Sequence, residues 1–129
     1  MSLKKHILLV EDEDALRKMV KYRLEGYNYS VSAAATGEEG LNKVYEGKVD
    51  LIILDIMLPG LDGYEVCRRL KSNLRYSEIP ILMFTAKGSG DSQEKAFEAG
   101  ADDYLVKPYE GDILLYKVKT LLERSKPWH

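Results

Sequence analysis

The stretch Leu51-Ile52-Ile53-Leu54-Asp55 decides the fold, because a fully apolar run ends abruptly on a carboxylate. Such a run, broken soon afterwards by Pro59-Gly60, is typical of a strand that is buried on both faces of a parallel sheet. A second run, Ile7-Leu8-Leu9-Val10, ends on Glu11-Asp12. Two buried strands therefore bring three carboxylates toward one edge of the predicted sheet.

These three carboxylates, Glu11, Asp12 and Asp55, predict a site that holds a cation or a shared proton. Like charges that crowd together repel one another, and they cannot all stay ionised at low cost without a positive charge among them. Magnesium prefers oxygen ligands in an octahedral arrangement, and it usually retains several waters. Mg²⁺ is therefore the cofactor that we expect at this edge.

Short apolar runs alternate with amphipathic segments along the whole chain, which predicts an α/β fold around a mostly parallel sheet. The predicted strands cover residues 6–11, 30–34, 51–55, 80–85 and 103–106. The first helix is predicted at about 14–25 and the last at about 110–124, and the other three begin near Thr36, Asp62 and Asp91.

Polar residues at the helix starts support these assignments. Thr36 with Glu39, and Asp62 with Glu65, have the spacing of capping boxes, and Asp12 is a candidate cap for the first helix. The inward face of the second helix is expected to carry Leu41, Val44 and Tyr45.

The bulk composition narrows the class of protein. A chain of 129 residues with 45% hydrophobic and 31% charged residues fits one compact domain. Its net charge of −2 gives no general attraction to nucleic acid, so direct nucleic-acid binding is not expected. The single cysteine, Cys67, cannot form an internal disulfide, and neither a signal peptide nor a membrane span is visible. We therefore expect a cytoplasmic protein without a membrane partner.

The polar residues at the strand ends suggest phosphoryl chemistry. In an open parallel sheet, ligands bind beyond the carboxyl ends of the strands, where Asp55, Thr85 and Lys107 are predicted to lie. A carboxylate beside a divalent ion can attack phosphorus and form an acyl phosphate, and Asp55 is the best candidate nucleophile. Lys107 would neutralise charge on the transferring oxygens, and the Thr85 hydroxyl would donate a hydrogen bond to one of them.

The chain resembles a response-regulator receiver domain of two-component signalling. The resemblance extends from residue 5 to about 124, which leaves 125–129 as a tail or the start of a linker. It is carried by four segments that occur in the family's order and spacing: Leu9-Val10-Glu11-Asp12, Leu54-Asp55-Ile56-Met57-Leu58-Pro59-Gly60-Leu61-Asp62-Gly63, Thr85-Ala86 and Gly100-Ala101-Asp102-Asp103-Tyr104-Leu105-Val106-Lys107-Pro108.

The resemblance implies a flavodoxin-like, doubly wound sheet of five parallel strands in the order 2-1-3-4-5, flanked by five helices. Asp55 matches the phosphoacceptor, and the Met57 carbonyl would bind Mg²⁺ together with Asp55 and Asp12, with Glu11 acting through water. Thr85 and Tyr104 match the switch residues. Lys107-Pro108 matches a peptide bond that is cis in the family, and the next residue is Tyr109, where the family often has phenylalanine.

The same resemblance implies partners and a regulatory role. The domain would be a phosphoacceptor that assists its own phosphorylation and dephosphorylation, not an enzyme that turns over a substrate. Its donor would be a histidine kinase or a phosphotransfer protein, and its output would be an effector protein or a fused domain. A homodimer through the face of helix 4, strand 5 and helix 5 is possible in the family.

Three alternatives compete with this interpretation. A flavodoxin-like cofactor carrier needs a first loop that binds phosphate, whereas Glu11-Asp12-Glu13-Asp14 would repel it. A haloacid-dehalogenase-type phosphatase needs a second acid where this chain has Met57. A degenerate receiver that serves only as a protein-binding scaffold would keep the fold, but it would lose site residues that are all present here.

Overall fold

Five strands and five helices alternate along the chain in a computed structural model that describes residues 4–86 and 90–124. The strands are β1 (His6–Val10), β2 (Ser30–Ala34), β3 (Leu51–Asp55), β4 (Ile81–Ala86) and β5 (Asp103–Lys107). The helices are α1 (Asp14–Gly26), α2 (Gly37–Glu46), α3 (Gly63–Lys71), α4 (Gly90–Glu98) and α5 (Gly111–Arg124). The predicted tail at 125–129 lies outside the described residues.

The strands form one parallel sheet in the order β2-β1-β3-β4-β5, which confirms the predicted topology. The register brings the carboxyl ends of neighbouring strands together. Val10 pairs with Leu54, and Asp55 pairs with Phe84. The residues that follow β1, β3, β4 and β5 therefore meet at one edge of the sheet.

Helices cover both faces of the sheet, as expected for buried parallel strands. One half of the core packs β-strand residues against α2, α3 and α4, and it includes Leu54, Met83 and Ala96. The other half packs against α1 and α5, and it includes Phe84 and Val118. The carboxyl edge of the sheet lies between these two layers of helices, and side chains from several strands can converge there.

Two of the predicted caps are present. The Thr36 side chain accepts a hydrogen bond from the Glu39 N–H, and the Asp62 side chain accepts one from the Glu65 N–H. The prediction for Asp12 was wrong, because Glu13 is the N-cap of α1 and its side chain makes no capping bond within the described residues.

The side chain of Tyr45 also departs from its prediction. It is 49% exposed, and its ring lies 5.3 Å from that of Tyr76 in the loop after α3. Leu41 and Val44 are buried as expected. Tyr45 follows Val44 directly, so the two side chains leave the helix in different directions, and only Val44 reaches the core.

No helix in the described parts of the chain is both long and apolar enough to cross a membrane.

Candidate functional site

Three carboxylates meet at the carboxyl edge of the sheet, as the sequence predicts. Glu11 and Asp12 follow β1, and Asp55 is the last residue of β3. One carboxylate oxygen of each residue lies within 4.8 Å of the others. Glu11 is 1% exposed and Asp55 is 5% exposed, whereas Asp12 faces solvent. The cluster therefore has two buried acids and one acid at its mouth.

Lys107 reaches this cluster from the end of β5. Its Nζ lies 2.9 Å from Glu11 Oε1 and 3.3 Å from Asp55 Oδ2. The other Glu11 oxygen, Oε2, accepts a hydrogen bond of 3.0 Å from the Glu13 N–H. Lys107 is followed by a cis peptide bond to Pro108, as the resemblance implies. One ammonium group therefore serves two buried carboxylates.

The backbone after β3 holds Asp55 in place. The Ile56 N–H donates to the Phe84 carbonyl at 3.3 Å, and the Ile56 carbonyl accepts from the Gly63 N–H at 3.0 Å. A Cβ at position 63 would lie only 2.8 Å from the Ile56 Cα and still closer to the Asp55 carbonyl oxygen. Only glycine allows α3 to begin this close to the end of β3.

Burial and the charges of neighbouring groups together set the pKa values of Asp55 and Lys107. Burial, reinforced by the negative charge of Glu11, raises the pKa of Asp55 to about 6, and Lys107 only partly offsets the increase. Burial works to lower the pKa of Lys107, but its contacts with Glu11 and Asp55 outweigh that effect, and the net pKa is raised. Within residues 4–86 and 90–124, the Lys107 ammonium is the cation that pairs with these acids, and it does not balance three of them; the donor set suits an additional hard cation such as Mg²⁺.

Thr85 lies near the end of β4 and is 1% exposed. Its Oγ1 has no hydrogen-bond partner in the described parts of the chain. A buried hydroxyl usually has a partner, so an unpaired one at a strand end is a free donor for a ligand. This position agrees with the role expected for Thr85.

The Tyr104 ring packs against residues of α4 and α5. It packs edge-on against Phe97 of α4 at 5.5 Å between ring centroids, and the Nζ of Lys117 from α5 lies 5.5 Å from its centroid. The candidate switch residue therefore sits on the face shared by α4, β5 and α5. Met57, whose carbonyl is a candidate ligand, is 74% exposed and lies two residues after Asp55.

Tyr109 follows Lys107-Pro108, and the sequence predicts no role for it. Its hydroxyl is buried without a hydrogen-bond partner among residues 4–86 and 90–124, and its ring packs against Phe84 at 5.2 Å. The only sequence signal was a tyrosine directly after Lys107-Pro108.

Comparisons with known proteins agree on one family. The family model of the response regulator receiver domain matches residues 7–119. The transcriptional regulatory protein AfsQ1 of Streptomyces coelicolor is 42% identical over 120 residues, which are 93% of this chain and 52% of that protein. The chain thus spans about half the length of the curated relatives it matches.

Solved structures agree with the fold. A putative response regulator from Chloroflexus aurantiacus is 42% identical with a TM-score of 0.92, over 95% of this chain and all of that one. The receiver domain of the sensor histidine kinase PA1611 from Pseudomonas aeruginosa is 28% identical with a TM-score of 0.87, over 94% of this chain and 99% of that one. The latter structure has a magnesium ion coordinated in its active-site cleft.

Proposed function

The chain belongs to the response regulator receiver domain family, and we propose on this basis that Asp55 accepts a phosphoryl group from a histidine kinase or a phosphotransfer protein. The observation that carries the proposal is the convergence of Glu11, Asp12, Asp55 and Lys107, with the unpaired hydroxyl of Thr85, at one edge of the sheet. Because this whole set is present, the phosphoacceptor role is favoured over a degenerate receiver that acts only as a scaffold.

The transfer step follows from the geometry. An Asp55 carboxylate oxygen forms the new P–O bond as the P–N bond of a phosphohistidine breaks, and the departing imidazole takes up a proton. The Lys107 ammonium, now 3.3 Å from Asp55, would pair with a phosphoryl oxygen. The Thr85 hydroxyl would donate to another oxygen of the same group, which would give this buried donor a partner.

Glu11, Asp12, Asp55 and the Met57 backbone carbonyl are the groups that would hold Mg²⁺. We assign direct coordination to the exposed Asp12 and to Asp55. Glu11 would act through water, because both of its oxygens already accept hydrogen bonds. When bound, the ion would supply the positive charge that the three acids and the incoming phosphoryl group require.

We also propose that the domain has a switch and an output. On phosphorylation, Thr85 would move toward the phosphoryl group and the Tyr104 ring would leave its place between Phe97 and Lys117. The altered face of α4, β5 and α5 would then bind an effector, a fused output domain or a second copy. The relatives are transcriptional regulators about twice as long, so DNA would be contacted by a separate segment.

The family assignment fits a regulatory role without substrate turnover. We propose that the domain spans 5–124, assists its own phosphorylation and dephosphorylation, and works in the cytoplasm, where a histidine kinase would meet it. The buried free thiol of Cys67 is compatible with a reducing compartment.

Intact-mass spectrometry tests the proposal. The chain is incubated with a small acyl-phosphate donor and Mg²⁺, and its mass is recorded before and after treatment with base, which hydrolyses acyl phosphates. We expect a gain of one phosphoryl group that is lost in base and that requires Mg²⁺.

Asp55→Asn is the matched variant, because it keeps the shape of the side chain and removes the nucleophile. This variant should gain nothing under the same conditions. A modification that persists in the Asn variant, or no modification of the wild-type protein, would contradict the proposal.

A further inference from the structure

Arg17, the fourth residue of α1, contacts the segment that carries Glu11 and Asp12. Its Nη1 donates a hydrogen bond of 2.8 Å to the Glu11 backbone carbonyl, and its Nη2 pairs with the Asp14 carboxylate. The Arg17 side chain is 18% exposed, whereas that of Asp14 is 77% exposed. A largely buried guanidinium therefore joins the residue after β1 to the first turn of α1.

The Glu11 backbone is held on both sides. Its N–H donates to the Ala34 carbonyl of β2 at 3.0 Å, and its carbonyl accepts from Arg17. The Glu11 carbonyl belongs to the same planar peptide unit as the Asp12 nitrogen. Because Arg17 holds this oxygen in place, it restricts the rotation of the peptide unit from which Asp12 departs.

The start of α1 has no side-chain cap that could hold the same segment. Glu13 is the N-cap, and its side chain makes no capping bond within the described residues. Its N–H donates to the Glu11 carboxylate, which is a contact with the side chain and not with the backbone. The bond from Arg17 is therefore the contact through which a side chain of α1 restrains the Glu11–Asp12 peptide.

The charge of Arg17 works against metal binding. A guanidinium beside the segment that carries Glu11 and Asp12 repels a divalent cation, so the loss of its charge alone would strengthen metal binding. Its geometry has the opposite effect. A guanidinium is a planar fork that binds two acceptors in fixed directions, which the ammonium of a lysine cannot reproduce. Charge and geometry thus predict opposite results when Arg17 is replaced.

We propose that Arg17 is a positioning residue for the metal site: by holding the Glu11 carbonyl, it orients Asp12 for direct coordination of Mg²⁺. Arg17 acts through the backbone and touches neither the ion nor the phosphoryl group. Contacts that orient a metal ligand typically account for about 10- to 100-fold in metal affinity. This inference rests on the proposed function, in which Asp12 and Asp55 coordinate Mg²⁺.

The test measures Mn²⁺ binding by the wild-type chain and by two variants. Mn²⁺ is the probe because the EPR signal of the free ion is lost on binding, and Mg²⁺ should displace it. Arg17→Lys keeps the charge and removes the fork, and its affinity for Mn²⁺ should fall about ten-fold. Arg17→Met also removes the charge, and it should still bind Mn²⁺ more weakly than the wild type, despite the lost repulsion.

Lys18→Met is the matched control, because it removes one positive charge from the next, exposed position of α1. Its affinity should stay within about two-fold of the wild type, since salt screens exposed charges. The ¹⁵N resonance of Asp12 gives a second readout without metal, because it responds to a hydrogen bond on the preceding carbonyl. It should move in Arg17→Lys and not in Lys18→Met. Urea unfolding confirms that each variant is folded under these conditions.

The results separate two kinds of failure. Wild-type affinity for Mn²⁺ in Arg17→Lys, higher affinity in Arg17→Met, or an Asp12 resonance that does not move in Arg17→Lys would overturn the role of Arg17 and leave the metal site intact. Asp12→Asn tests the metal site itself. If this variant bound Mn²⁺ as tightly as the wild type, or if the wild type bound none, the proposed metal site would fail, and this inference would fail with it.

Discussion

Asp55 illustrates how a candidate functional residue can oppose stability. It is 5% exposed, Glu11 is its neighbour, and its pKa is raised to about 6. The folded protein therefore favours the protonated form more than the unfolded chain does. The stability that follows from this preference is fully present at low pH, and it is lost as the pH rises from about 3.8 through about 6.

Replacing Asp55 by Asn should stabilise the unliganded protein at pH 8, because it removes a buried negative charge from the cluster. We expect a gain of about 1 to 3 kcal/mol in the free energy of unfolding, since one pKa unit corresponds to about 1.4 kcal/mol. Urea unfolding at pH 8 and at pH 4 measures it. The gain should shrink strongly at pH 4, where Asp55 is largely protonated in the folded protein.

Asp102→Asn is the matched control for this measurement. The Asp102 carboxylate accepts hydrogen bonds of 2.8 Å from both Lys71 Nζ and the Ile81 N–H. The same substitution there should destabilise the protein at pH 8. If both substitutions changed the free energy of unfolding in the same direction at pH 8, the buried charge of Asp55 would not be destabilising the folded protein.

Most of the site residues could be predicted because strand ends converge in any parallel sheet. Glu11, Asp55 and Lys107 each follow or end an apolar run, and that position in the chain was sufficient to place them. The closer contact of Lys107 with Glu11 than with Asp55 was not predictable. It depends on differences of a few tenths of an ångström between side chains that are distant in the sequence.

At the scale of secondary-structure elements, Lys71 links three parts of the fold. From the end of α3, its Nζ donates to the Ser77 and Ile79 carbonyls in the loop before β4 and to Asp102 before β5. Its side chain is 16% exposed and that of Asp102 is 27% exposed. The ammonium thus holds the amino-terminal end of β4 and the start of β5 against α3.

Lys71→Met should lower the free energy of unfolding by about 2 to 3 kcal/mol, because it keeps the apolar stem, leaves the Ser77 and Ile79 carbonyls without this donor, and leaves the Asp102 carboxylate with only the Ile81 N–H as donor. Urea unfolding at neutral pH measures the loss. Arg69→Met on the same helix removes an exposed ion pair with Glu65, and it should cost less than about 0.5 kcal/mol. Comparable losses for the two variants would contradict the structural role of Lys71.

The elements themselves were predictable where local signals agreed. The capping boxes at Thr36 and Asp62 mark true helix starts, because a cap depends only on residues within one turn. Asp12 and Tyr45 were misassigned for a tertiary reason. Asp12 lies at the mouth of the acidic cluster instead of capping α1, and Tyr45 finds its partner, Tyr76, in a distant loop.

For the whole molecule, Cys67 reports how tightly α3 and its half of the core close against the sheet. It lies in α3, is 0% exposed, and burial raises the pKa of its thiol to about 12. A thiol in this environment is protonated and inaccessible, so it reacts only when the protein opens.

We expect the Cys67 thiol to resist a disulfide reagent in the native protein and to react within the mixing time in concentrated urea. Mg²⁺ with beryllofluoride should slow the native reaction further, because a ligand that binds only the folded state lowers the population of open molecules. The absorbance of the released thiolate follows the reaction. Rapid labelling of native protein would show that α3 does not pack as described.

The most direct test of the central claim is a crystal structure of the chain with Mg²⁺ and beryllofluoride. The account predicts beryllofluoride on an Asp55 oxygen, with Lys107 and the Thr85 hydroxyl within hydrogen-bonding distance of its fluorides. It also predicts Mg²⁺ among Asp12, Asp55 and the Met57 carbonyl. An acidic cluster without metal under these conditions, or beryllofluoride bound elsewhere, would contradict the account.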